Sequence, residues 1–175
     1  ILKLILITGQ RPGEVAGMNS SQIDGDWWTI PKSMSKTHNE HRVFLTETAK
    51  KYIPKKGGFT LTRQVVDRTL ARAIAAPPPP PKKKKGGHAN PLQVEKFVPH
   101  DLRRTMATRL AGLGFHDEVI NAVQGREKRG IIGVYNLHRY DKERQVAAKA
   151  WERALINIVS GEHSAKVLPL NLRTP

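Results

Sequence analysis

A histidine and an arginine lie three residues apart near the middle of the chain, as His100 and Arg103 in residues 99–105. This spacing places both side chains on one face of a helix. An apolar stripe predicts that helix, formed by Leu102, Met106, Leu110 and Leu113. We expect the helix to end at Gly112 or Gly114. Arginine can hold a phosphate, and histidine can move a proton near neutral pH. Such a pair is more often a surface pair than a site, so other stretches must decide.

Two further stretches, one on each side, contain residue types suited to the same chemistry. Upstream, Arg11 lies in a turn marked by Gly and Pro, and the carboxylate Glu14 follows three residues later. Downstream, Tyr135 follows a glycine-containing basic stretch. Each residue also has an ordinary interpretation. Arg11 could be a solvated arginine, Glu14 a first-turn acid favoured by the helix dipole, and Tyr135 a core tyrosine.

Lys36 lies in a polar stretch, residues 33–39, between two runs rich in aromatic and β-branched residues. These runs, residues 27–31 and 42–45, predict a small antiparallel hairpin with Lys36 near its tip. A lysine there could also be one more charge on a basic surface. His38 and His41 are three residues apart, but a metal pair on a hairpin is improbable.

The order of these residues along the chain is Arg, Lys, His-x-x-Arg, Tyr. Four separated motifs in this order resemble the catalytic domain of the tyrosine recombinases, the phage-type integrases, over residues 2–158. The resemblance implies a mainly α-helical α+β fold with a small antiparallel β-hairpin sheet, and a catalytic domain over residues 1–160. In these recombinases a separate N-terminal DNA-binding domain precedes the catalytic domain, and we expect this sequence to lack it.

The resemblance implies site-specific DNA recombination or integration through a 3′-phosphotyrosyl intermediate. Arg11 and Arg103 would offset the charge that builds on the phosphate oxygens. Tyr135 would be the nucleophile, and His100 would accept or relay its phenolic proton. Lys36 would protonate the departing 5′ oxygen. This chemistry needs no metal, nucleotide or other cofactor.

The resemblance gives Glu14 a supporting role, and one residue departs from the family pattern. Integrases commonly carry a histidine nine residues before the tyrosine, and this chain has Arg126 there. Arginine can donate hydrogen bonds to a phosphate, but it cannot shuttle protons. Tyr140 is close enough in sequence to rival Tyr135 as the nucleophile, whereas Tyr52 is predicted on a scaffold helix. Two alternatives stay open: a type IB topoisomerase-like nicking and closing enzyme, and a catalytically degenerate DNA-binding module.

The composition favours a polyanionic partner. Thirty Lys and Arg against fifteen Asp and Glu give a formal charge of +15, and the isoelectric point is near 10.4. We therefore expect binding to double-stranded DNA, with self-association into a synaptic tetramer implied by the resemblance. No stretch approaches the about 20 apolar residues of a membrane span. Without cysteine or a visible secretory signal, we expect a bacterial cytoplasmic location, nucleoid-associated on DNA.

The other patterns predict the scaffold and its connections. Helices are predicted over residues 2–7, 11–18, 47–53, 62–74, 117–124 and 141–158. Thr46 and Thr62 are predicted helix caps, and Gly125 is a predicted helix end. The run of Pro, Lys and Gly in residues 77–90 predicts a low-complexity loop, and residues 161–175 predict a C-terminal tail.

Overall fold

The computed structural model describes residues 1–75, 94–126 and 140–161. Its strands are β1 (Ile23–Asp24), β2 (Trp27–Ile30) and β3 (His41–Phe44). Its helices are α1 (Leu2–Thr8), α2 (Pro12–Ala16), α3 (Glu47–Lys50), α4 (Arg63–Ala75), α5 (Pro99–Gly112), α6 (Asp117–Gln124) and α7 (Asp141–Ser160). The described residues are therefore mainly α-helical with one small antiparallel sheet, which confirms the predicted fold class.

The predicted hairpin is present, and a short third strand extends it. The strand order is β1-β2-β3 with antiparallel pairing, so that Trp28 lies opposite Val43 and Ile30 lies opposite His41. Trp28, Ile30, Val43 and His41 are all buried, because the alternation along each strand turns them to the core face. The sequence did not predict β1, since two residues are too few to show an alternating pattern.

Helix α1 lies at the centre of the fold. It packs against α2, α3, α5 and α7, which explains why almost every residue in it is apolar. Leu4 and Ile5 are fully buried, and the Leu6 carbonyl accepts a hydrogen bond of 2.9 Å from Trp151 Nε1 of α7. The turn that follows α1 is therefore held by the core on several sides, and that turn carries the first candidate site residue.

Helices α5 and α6 begin and end close to the predicted residues. In α5, Pro99 occupies the first turn, and an Asp101 carboxylate oxygen accepts a hydrogen bond of 2.9 Å from the Val98 N–H. The predicted stripe is buried at Met106 and Leu110, which packs α5 against its neighbours. Helix α6 stops at Gly125, whose φ of 58° gives a left-handed end.

Some predicted details differ from the structure. Helix α2 ends before Met18, although Met18 is buried, and α3 is a single turn ending at Lys50. Leu113 and Ile158 belong to predicted apolar stripes but are exposed, because each lies at or beyond the last packed turn of its helix. The described helices include none that is long and apolar enough to cross a membrane.

Other predictions fall on segments outside the described residues. These segments are residues 76–93, 127–139 and 162–175. The low-complexity loop over residues 77–90 and nearly all of the tail over residues 161–175 therefore stay predictions. The domain boundaries stay predictions as well.

Candidate active site

Arg11 and Glu14 form a compact unit at the start of α2. Arg11 is the residue before the first helical turn, and its backbone N–H donates to Glu14 Oε2 at 3.0 Å. Its guanidinium also donates to Glu14 Oε1 at 2.9 Å. Glu14 is buried, whereas the Arg11 side chain is 20% exposed. The Glu14 carboxylate therefore fixes the orientation of the Arg11 side chain and leaves part of its guanidinium accessible to solvent.

Arg103 is only 3% exposed, and its guanidinium lies at the turn that precedes Arg11. One Nη atom donates to the Gly9 carbonyl at 2.9 Å, and the other donates to the Gln124 carbonyl at 2.8 Å. These bonds connect α5 to the turn after α1 and to the end of α6. They use two of the five N–H donors of the guanidinium.

Burial, with the positive charges of Arg11 and Arg126, lowers the pKa of Arg103 to about 10 against the opposing effect of Glu14. A pKa of about 10 still leaves Arg103 charged at neutral pH. Arg103 bonds to the carbonyls of Gly9 and Gln124, which lie two residues before Arg11 and Arg126, so the three arginines lie near one another. With one carboxylate among them, the cluster is strongly attractive to a phosphate.

His100 lies on α5 one turn before Arg103 and is exposed. Partial desolvation lowers the pKa of His100, and the neighbouring positive charges of Arg103 and Arg104 outweigh the nearby carboxylate of Asp101. Its imidazole is therefore mainly neutral near pH 7 and can accept a proton. The structure thus places His100 and Arg103 one turn apart on α5, and the role of His100 in the site stays a prediction.

Arg126 follows the left-handed residue Gly125 at the end of α6. Its backbone N–H donates to the Asn121 carbonyl at 3.0 Å, and its guanidinium reaches the Asn121 side-chain oxygen at 3.5 Å. The second contact is at the limit of a hydrogen bond, and Arg126 is exposed. Its backbone is therefore fixed while its charged end can turn toward a ligand.

Lys36 lies apart from this cluster, on the loop between β2 and β3. It is exposed, and within the described ranges no hydrogen bond or ion pair joins it to the arginines. The loop is anchored nearby, because the Gln22 amide donates to the Met34 sulfur at 3.0 Å. The placement of Lys36 near the hairpin tip follows the prediction, but its function in the site stays a prediction.

The sequence profile of the phage integrase family matches residues 1–143. The chain belongs to the phage integrase family. The match contains every predicted site residue from Arg11 to Tyr135, and it places the chain among the tyrosine recombinases, which act in DNA recombination and integration. Neither the curated proteins nor the solved structures contain a match to it.

The predicted nucleophile of this integrase, Tyr135, lies outside the described residues. The described chain stops at Arg126 and resumes at Tyr140. Tyr140 has a left-handed backbone with φ 55° and precedes the first turn of α7. Tyr52 lies beyond α3, where its hydroxyl accepts a hydrogen bond of 3.4 Å from Lys3. Tyr52 therefore contacts α1, but its predicted place on a helix is wrong, because α3 ends at Lys50.

Three residues beside the arginines were not predicted to matter. Gln10 and Gln124 are fully buried, and their amides donate to backbone carbonyls of α6 and α5. His41 is buried on β3, and its Nε2 lies 3.1 Å from the Val123 carbonyl. The sequence signal for His41 is its inward position on the alternating strand, which marks a core histidine rather than a metal ligand.

Proposed function

We propose that this chain is the catalytic part of a tyrosine site-specific recombinase. It would cut and rejoin DNA strands through a 3′-phosphotyrosyl intermediate. The observation that carries the proposal is that Arg103 is fixed by the carbonyls beside Arg11 and Arg126, next to the accessible His100. A DNA-binding surface alone needs cations, but it does not need a buried arginine fixed by two backbone carbonyls next to a proton acceptor.

The three arginines differ in exposure, and this suggests a division of roles. Arg11 and Arg126 are accessible and would contact the non-bridging phosphate oxygens first. Arg103 is nearly buried and held in place, so its charge needs no rearrangement when the transition state forms. Fixed positive charge at a developing pentacoordinate phosphate is the effect that lowers the barrier most.

The nucleophile and its base follow from the pKa values involved. A phenol has an unperturbed pKa of about 10 and is a poor nucleophile at neutral pH. A neutral His100 can take the phenolic proton of Tyr135 as the bond from its oxygen to phosphorus forms. The positive field of the arginine cluster also favours the phenolate. The lowered pKa of His100 keeps it in the accepting form.

The leaving group requires a proton of its own. As the bond between phosphorus and the 5′ oxygen breaks, the ammonium of Lys36 would give a proton to that oxygen. The product is a 3′-phosphotyrosyl ester and a free 5′ hydroxyl. Attack by a 5′ hydroxyl on this ester reverses both proton transfers and restores Tyr135, so that the strand is rejoined without an external energy source.

Double-stranded DNA is the partner that the charge and the family favour. Recombination exchanges strands between two duplexes, so we further propose that copies of the protein associate on DNA as a synaptic tetramer. Action on chromosomal DNA in a bacterial cytoplasm is consistent with this proposal.

The test is a covalent-adduct assay with the full chain and nicked target duplexes. Wild-type protein should form a denaturation-resistant DNA adduct. Tyr135→Phe removes only the phenolic oxygen and should abolish the adduct while leaving DNA affinity nearly unchanged. Tyr140→Phe is the matched control and should still form it.

Three results would redirect the proposal. Loss of the adduct in Tyr140→Phe but not in Tyr135→Phe would move the nucleophile five residues along the chain. Adduct formation and religation without strand exchange between two duplexes would indicate nicking and closing. Absence of an adduct from wild type on every nicked substrate would leave a DNA-binding module.

A further inference from the structure

Side chains from several distant parts of the chain hold the carboxyl end of α6. The Val123 carbonyl lies 3.1 Å from His41 Nε2 and accepts a hydrogen bond of 2.8 Å from Gln10 Nε2. His41 comes from β3, and Gln10 comes from the turn before α2. Since the Val123 oxygen is an acceptor, the imidazole must carry its proton on Nε2 to bond with it. Both lone pairs of that carbonyl are then used.

The next turn of the chain lies directly against the His41 ring. A Cβ atom added to Gly125 would come within 2.7 Å of ring carbons of His41. Gly125 also has a φ of 58°, which disfavours other residues. The imidazole therefore touches the backbone that immediately precedes Arg126, and its volume as well as its N–H defines the path of that turn.

The same end of α6 is tied to Arg103 in both directions. The Arg103 guanidinium donates to the Gln124 carbonyl at 2.8 Å, and the Gln124 amide donates to the Arg103 carbonyl at 2.8 Å. A shift of the turn at Gly125 would therefore move Arg126, whereas Arg103 keeps its second anchor at the Gly9 carbonyl. His41 is the contact that connects this arrangement to the sheet.

The charged groups that face His41 are all positive. They are Arg144 of α7, Arg103 of α5 and Arg11 at the start of α2, and burial together with these charges lowers the pKa of His41 to about 3. The imidazole is thus a neutral donor throughout the range in which the enzyme would work. It has no proton to exchange near pH 7, so a role as general base is unsuitable for it.

We propose that His41 is a positioning residue, which holds the turn at Gly125 so that Arg126 meets the phosphate beside Arg103. This inference rests on the proposed function. Its chemical consequence is specific: His41 would act on the reaction only through the place of Arg126. A residue that supports the fold in general would not show that dependence.

The experiment compares His41→Leu with His41→Gln in the full chain. Leucine fills most of the space but has no donor, whereas the glutamine amide can reach the Val123 carbonyl. We expect His41→Leu to slow adduct formation at saturating nicked DNA by about 10- to 100-fold, as small misplacements of reacting groups do. DNA affinity should change less than about twofold, and His41→Gln should recover most of the rate.

A double-mutant cycle with Arg126→Ala supplies the decisive comparison. If His41 acts through Arg126, His41→Leu should slow the Arg126→Ala protein by less than about twofold. Trp28→Phe is the control, because it removes a different buried N–H donor, to Gln22 at 3.0 Å, on the neighbouring strand. It should leave the adduct rate unchanged. Equal slowing by His41→Leu with and without Arg126 would overturn the proposal.

Hydrogen exchange gives a second readout that does not require activity. His41→Leu should speed amide exchange at residues 123–126 by about tenfold or more, while Trp28→Phe should not. If wild type forms no adduct, the proposed function fails, and the exchange rates still decide whether His41 holds this turn. Unchanged exchange at residues 123–126 in His41→Leu would refute the positioning role.

Discussion

The burial of a neutral histidine predicts that acid destabilises this protein before its carboxylates titrate. His41 is 7% exposed, and its pKa falls from 6.5 to about 3 because of burial and the nearby charges of Arg144, Arg103 and Arg11. Between these two values the unfolded chain binds a proton that the folded protein excludes. The free energy of unfolding therefore falls as the pH falls from above 6.5 toward 3.

The size of the effect follows from proton linkage. A group with a pKa of 6.5 unfolded and about 3 folded lowers the free energy of unfolding by about 2 kcal/mol between about pH 7.5 and pH 5. Urea unfolding can be followed by the fluorescence of Trp27, Trp28 and Trp151. With a denaturant slope of about 2 kcal/mol per molar, the midpoint should fall by roughly 1 M over this range.

The matched variant is His41→Gln, which keeps an N–H donor but cannot take up a proton. Over the same pH range, the urea midpoint of this variant should fall by less than the midpoint of wild type. The difference between the two falls is the contribution of His41. His100 also has a lowered pKa, but it is present in both proteins and cancels in the comparison. Parallel pH profiles for the two proteins would show that His41 is solvated or paired, and the reasoning from burial would be wrong.

Three further predictions concern the phosphate site and the turn beneath it. Arg126→Ala should slow adduct formation at saturating DNA by roughly 10²-fold, whereas Arg126→His should keep most of that rate; an unchanged rate in the alanine variant would mean that Arg126 points away from the phosphate. Gly9→Ala should lower the free energy of unfolding by more than about 2 kcal/mol, because Gly9 has φ 67° and an added Cβ would overlap the Met106 sulfur; Gly112→Ala meets no neighbouring atom and is the control in urea unfolding. Duplex affinity should fall steeply with salt, by a logarithmic slope of roughly −0.9 for each phosphate contact, and a flat titration would contradict the electrostatic interpretation.

The sequence predicted the elements whose patterns are local. The stripe of α5 appears as buried Met106 and Leu110, and Asp117 and Gly125 bound α6 as expected. These signals depend on spacing within one helix, so a single sequence contains them. The order of residues along the chain also led to the hypothesis that Arg11 and Arg103 hold a phosphate, because each stands in a short motif of its own; that role stays a proposal.

The sequence could not predict what depends on distant backbone atoms. Arg103 is anchored by the carbonyls of Gly9 and Gln124, which lie 94 and 21 residues away. His41 meets a carbonyl 82 residues along the chain. Every residue type has a carbonyl, so no side-chain pattern marks these partners. The burial of Arg103 therefore leaves no signal in the sequence, although its role could be inferred.

Arg126 stands where integrases commonly carry a histidine, and it increases the positive charge of the site. A neutral histidine contributes a hydrogen bond without adding to the repulsion among the arginines, whereas Arg126 adds a third positive charge and lowers the pKa of Arg103. A bound phosphodiester reduces this repulsion as soon as DNA binds, before any bond breaks. That part of the stabilisation is equal in the ground state and the transition state, so it strengthens DNA binding without raising the rate. In the proposed mechanism, proton transfer is then left to His100 and Lys36. Arg126→His should accordingly weaken DNA binding and its salt dependence more than it slows cleavage at saturating DNA.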